Sequence, residues 1–135
     1  MTRINVVSPA ELYDQHLLIE LRELPRMFTY IENHASENQK LPDAYTMGAG
    51  HMKFFANKAA FLYKRMFALY EESVDRGFNF NFDVQAWVFR YIKLPDWAKQ
   101  EYTPDDIARE VNRQRLKEKL ELRPGFYRYL GEKVD

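Results

Sequence analysis

The chain has 135 residues, no cysteine, and 20 basic residues against 20 acidic ones, which is enough to bury one continuous core and too little for two domains of ordinary size. The lack of cysteine excludes disulfides, thiolate nucleophiles and cysteine-ligated zinc, and it fits a reducing, cytoplasmic compartment. A formal net charge of +0 excludes affinity for nucleic acid or membrane that rests on global charge alone.

Residues 1–20 hold no basic region followed by an apolar one, and no segment approaches the ~20 apolar residues that span a bilayer, so a soluble, non-exported protein without a membrane partner is expected. Residues 2–7 read as an extended arm. Ser8-Pro9-Ala10-Glu11 then matches a capping box with proline at the first helical position, so a helix is expected to start there. Leu17, Leu21, Leu24, Phe28 and Ile31 recur at helical spacing and build one apolar stripe. Pro25 interrupts the stripe, and a kink or local break is expected at it.

Residues 33–50 carry turn formers and no period, and read as a loop. A second helix is expected over residues 53–76, burying Phe54, Phe55, Phe61, Leu62, Met66, Leu69 and Tyr70, with Gly77 just past its end. "FNFNFDVQAWVF" from Phe78 begins like a strand but has nothing to pair with, so it reads as an irregular aromatic connection. Thr103-Pro104-Asp105-Asp106 is a second helix-start signature, for a third helix that Arg123-Pro124 ends near residue 122. The aromatic tail is expected to be nonhelical. The sum is an all-α, compact single domain over residues 1–135, with three main helices, long loops and an extended N-terminal arm.

The charges are unevenly spread. Residues 44–70 contain no acid but do contain Lys53, Lys58, Lys64 and Arg65, and residues 109–133 are rich in lysine and arginine. These two regions either form one positive face or are ordinary solvated helix surfaces. His16, His34 and His51 lack metal-ligand spacing, so no metal is expected, and Gly48-Ala49-Gly50 reads as a tight turn rather than a dinucleotide fingerprint. No cofactor motif is present. On a helical projection Gln15, Arg22 and Arg26 lie together, with His16, Glu23 and Tyr30 adjoining them, opposite the apolar stripe. The same pattern fits a plain exposed face on which Glu23 pairs with Arg26.

Thr2 is small enough that removal of Met1 is expected, which frees an α-amine with a reference pKa of ~8, far below the ~10.4 of lysine. Arg3, Arg22 and Arg26 would depress it further by disfavouring the cation. Such an amine beside a carboxylate can attack a sugar C1′ and form a Schiff base.

The blocks "MTRIN", "DQHL…ELPR", "GAGH…FF", "RGFN", "QRLKEK", "RP" and "FYRYLG" run in order along nearly the whole chain, which resembles the phage-type pyrimidine-dimer DNA glycosylases, the endonuclease V of that context. The resemblance implies a bifunctional glycosylase and abasic-site lyase, a monomer acting on double-stranded DNA with damaged bases. It implies Thr2 as nucleophile and Glu23 as the acidic partner that stabilises the sugar cation and assists proton removal at C2′. Arg3, Arg22 and Arg26 match residues that engage the phosphates around the lesion, and Gln15 and His16 match pocket positions. Arg115 and Lys119 match backbone contacts, and Tyr127, Arg128 and Tyr129 match the aromatic tail beside the substrate. Family members kink the duplex and extrude a nucleotide. The chain departs from the basic phage member in its neutrality, and it has Phe126 and Leu130 where that enzyme has larger aromatics. A glycosylase/lyase for an oxidised or ring-opened purine, or a noncatalytic damage-binding module, are the alternatives.

Overall fold

The apolar stripe becomes the buried side of α1, Asp14–His34: Leu17, Leu21, Leu24, Phe28 and Ile31 are all buried. The structure, a computed structural model, describes residues 3–134. α1 packs most extensively against α3, Ala59–Asp75, which buries Leu62, Met66 and Leu69. Each such side chain contributes roughly 1.5–3 kcal/mol on burial. That explains why α1 runs unbroken through Pro25, contrary to the expected local break: an interior proline costs about 3 kcal/mol, less than the several buried side chains on either side of it supply. Phe61 and Tyr70 are only partly buried, at the edge of this core.

Among the described residues the fold has five α-helices rather than three main ones. The additional ones are α2, His51–Phe54, and α4, Val84–Lys93; the last helix is α5, Asp106–Leu122. The single helix expected over residues 53–76 is split into α2 and α3. The break is held from outside, since Asn57 O accepts from Gln100 N at 3.0 Å and Lys58 bridges to Lys99. α4 lies in the segment read as an irregular connection. Asp83 Oδ1 caps it by accepting from Ala86 N at 3.0 Å, and Trp87 anchors it by stacking on Phe28 at 4.1 Å. The phenylalanine alternation before Asp83 mimicked a strand and hid the cap.

The first start signal also shifts. Ser8 caps only a 3-10 turn, Pro9–Glu11, and α1 begins at Asp14. The other signals hold. Asp105 Oδ1 accepts from Ala108 N at 2.8 Å to start α5. Gly77, at φ +83°, ends α3 with Gly77 N donating to Val74 O and Phe78 N to Ser73 O, a Schellman motif.

The tail is nonhelical and closes as a hairpin of β1, Arg128–Tyr129, and β2, Glu132–Lys133, with Arg128 opposite Lys133. Its two-residue turn puts Leu130 at φ +52°, which costs a branched side chain some strain. Asp14 holds the turn, accepting from Leu130 N at 3.0 Å and Gly131 N at 2.8 Å. The arm is extended but not free-standing: Ile4, Asn5, Val6 and Val7 are buried between α1, α3 and α5. No helix among the described residues is long and apolar enough to cross a membrane.

Candidate active site and nucleic-acid interface

Alternation along the extended arm sends Ile4 and Val6 into the core and turns Arg3 and Asn5 toward one cleft. α1 adds His16, Ile19, Glu20 and Glu23, spaced by three and four residues along one face, and α5 adds Arg115 and Lys119, one turn apart. Tyr127 of the tail closes the cleft, whose volume is about 240 Å³. A second groove of about 710 Å³, bordered by Met47, Val111 and Leu122, shares Arg115 and Lys119 with it. These two cations therefore stand where the two depressions meet.

The two carboxylates in the cleft differ in what they can do. Glu20 is committed: its Oε1 accepts from Asn5 Nδ2 at 2.8 Å and Arg65 Nη2 at 3.1 Å, and its Oε2 accepts from Arg65 Nε at 2.5 Å. Both partners are buried, and breaking such a pair costs about 3–5 kcal/mol. Among the described residues Glu23 pairs with the helical neighbour foreseen for it, Arg26, at 3.7 Å, and that arginine's side chain is 68% exposed. A long, solvated contact of this kind leaves the Glu23 carboxylate able to accept a proton or face a cation.

His16 is neutral at neutral pH. Burial pushes its pKa down to about 4, and the charges of Arg115 and Lys119 add to the effect. It stacks on Tyr127 at 4.6 Å between ring centroids, and its Nδ1 is buried without a partner among the described residues. Arg115 is held below the usual guanidinium range by burial and then by Arg3, a sign that the two cations share one region. Cations gathered at a surface cleft disfavour one another until an anion enters, which is the condition for binding a phosphate.

Of the residues singled out from sequence, Arg3, His16, Glu23, Arg115, Lys119 and Tyr127 line this one cleft. Arg22 and Arg26 are exposed on α1 beside Glu23 and do not line it. Gln15, Arg128 and Tyr129 dock the tail. Gln15 Nε2 donates to Phe126 O at 2.6 Å and Gln15 Oε1 accepts from Arg128 N at 2.9 Å, while Tyr129 Oη donates to Ala10 O at 2.7 Å. The Arg128 side chain reaches Gly131 O. Thr2 lies outside the described residues.

Several cations of the two basic regions are taken up by partners of their own. Arg65 is spent on Glu20, Lys64 pairs with Glu101 at 2.7 Å, and Lys58 donates to Phe54 O. On α5, Arg109 and Arg113 are likewise paired, with Asp106 and Glu11. Sequence reasoning missed Asn5, Ile19 and Glu20. Glu20 was findable, since it follows His16 by four residues and precedes Glu23 by three, on the same face. The chain matches the family model for pyrimidine dimer DNA glycosylase over residues 1–86, a span that includes the arm and all of α1.

Proposed function

The chain belongs to the pyrimidine dimer DNA glycosylase family, and from that membership we propose that it excises cyclobutane pyrimidine dimers from duplex DNA and cleaves the strand at the abasic site it creates. The nucleophile is the α-amine of Thr2 after removal of Met1. The observation that carries this reading is the cleft in which, among the described residues, Glu23 makes a long contact of 3.7 Å to Arg26 while Glu20 is committed to Arg65, and in which Arg3, Arg115 and Lys119 converge.

In the first step the amine nitrogen forms a bond to C1′ of the damaged nucleotide while the C1′–N bond to the base breaks and the base leaves with the electron pair. Loss of a proton from the nitrogen and opening of the sugar ring give the imine. Glu23 stabilises the cationic sugar electrostatically and then accepts the C2′ proton, so that β-elimination breaks the C3′–O bond and releases the strand end as a phosphate. Water hydrolyses the imine and frees the amine. Arg3, Arg115 and Lys119 hold the flanking phosphates, where guanidinium groups bind two oxygens at once. Because the chain carries no net positive charge, these local contacts rather than a global field supply its DNA affinity.

Borohydride added to the Met1-processed protein with a dimer-containing duplex is expected to trap a covalent adduct, with intact mass locating the modification on the N-terminal residue. Parallel duplexes carrying a ring-opened purine or an abasic site sort the lesion preference. Absence of any adduct on dimer and abasic duplexes alike would end the proposal.

A further inference from the structure

Among the described residues the arm has no neighbouring strand, and side chains meet its backbone hydrogen bonds. Asn112 Oδ1, on α5, accepts from Val6 N at 2.6 Å and Val7 N at 3.1 Å, and Arg65 Nη1, on α3, donates to Val7 O at 2.9 Å. Closest to the N-terminus, both polar groups of Ile4 are taken. Ile4 N donates to His51 Nε2 at 2.8 Å, and Ile4 O accepts from Tyr45 Oη at 2.7 Å.

The state of the His51 ring follows from its partners. Thr46 O, 2.7 Å from Nδ1, can only accept, and Ile4 N–H can only donate, so the proton sits on Nδ1 and Nε2 is the acceptor. Burial pushes the His51 pKa down to about 4, opposed by the Thr46 carbonyl and aided by the positive charges of Arg3 and Arg115. Tyr45 packs edge-on at 5.5 Å, its own hydroxyl kept neutral by burial, and Phe55 packs at 5.6 Å. Gly50, at φ +90°, makes the turn that delivers His51; a Cβ there would come within 3.1 Å of Pro42 Cγ.

We propose that His51 is a positioning residue for the reaction: with Tyr45 it locks Ile4, and so sets where Arg3 enters the cleft that holds Glu23. This rests on the Thr2-amine reading above. His51 is buried at 1% exposure and acts through its bond to Ile4 N. Its contribution is to keep the chain from sliding or rotating one residue upstream of the core, where a displacement of about 1 Å at the reacting atoms can slow a reaction 10²-fold.

The test measures single-turnover formation of the borohydride-trapped adduct on an abasic duplex at saturating protein, together with duplex affinity and thermal unfolding. His51→Phe keeps a ring in the core but cannot accept from Ile4; it is expected to slow trapping about 10²-fold while affinity stays within about twofold of the parent. His51→Gln, which restores an acceptor, is expected to recover much of that rate. Tyr45→Phe removes the hydroxyl that reaches Ile4 O and Met47 Sδ and is expected to slow trapping several-fold; it carries the test if His51→Phe does not fold. Folded variants that all trap at the parental rate would overturn the positioning role alone. A parent protein that traps nothing would overturn the Thr2 chemistry and the positioning role together.

Discussion

Two nonhelical segments, the N-terminal arm and the C-terminal tail, flank the same cleft but are held in opposite ways. The arm is buried, and its backbone is gripped by side chains from α3, α5 and the segment around His51. The tail lies on the surface, with Arg128, Tyr129 and Leu130 exposed, and is tied to the start of α1 through Gln15 and Asp14. Bonds shielded from water are strong and leave little positional freedom, whereas bonds at the surface exchange readily with solvent. The arm is therefore held in one geometry, whereas the tail is tied mainly through exposed contacts.

The sharpest way to separate the two is to remove chemistry from the arm side without touching structure. Glu23→Gln is expected to lower single-turnover dimer excision by about 10³-fold, within the span general acid–base and electrostatic groups usually supply. Duplex affinity and melting temperature should stay near the parent's because the contact Glu23 makes among the described residues, to Arg26, is long and solvated. A variant that keeps excising at the parental rate would remove Glu23 from the mechanism.

Acid should loosen both regions at once. His51 under the arm and His16 under the tail have folded-state pKa values pushed from 6.5 down to about 4. Both side chains stay neutral in the fold, whereas the unfolded chain takes up protons as pH falls below 6.5, so unfolding is progressively favoured between pH 6.5 and about 4 and the loss levels off below that. Each histidine accounts for roughly 3 kcal/mol over that window. Urea unfolding at pH 7, 5.5 and 4.5 should show the slope, and His16→Gln should remove about half of it; an unchanged slope would show that His16 is charged in the folded protein.

The smallest effect belongs to the tail. Gln15→Ala frees Phe126 O and Arg128 N at a site already open to water, so it should cost about 1 kcal/mol or less of stability. It should weaken duplex binding a few-fold without changing the rate of adduct formation at saturation. If Gln15→Ala slowed trapping as much as His51→Phe, the contrast between a rigid arm and an adaptable tail would fail.

What the chain states locally could be read from it. The stripe on α1, the start signature that holds the Asp105 cap of α5 and the glycine that ends α3 depend on residues a few positions apart, and the structure forms all three. The gathering of Arg3, His16, Glu23, Arg115, Lys119 and Tyr127 came from family resemblance together with helical spacing, and the folded chain brings those six side chains to one cleft. Only tertiary structure decided which charges were spent. Glu20 and Arg65 are 45 residues apart and Asn112 reaches the arm across more than 100, so nothing in their neighbourhoods marks them as partners. The division of residues 51–75 into two helices was likewise imposed from Lys99 and Gln100. Periodicity and caps are set by bonds within a turn or two of helix, while burial and pairing depend on which distant segments meet, and in this protein it is long-range pairing that commits Glu20 to Asn5 and Arg65.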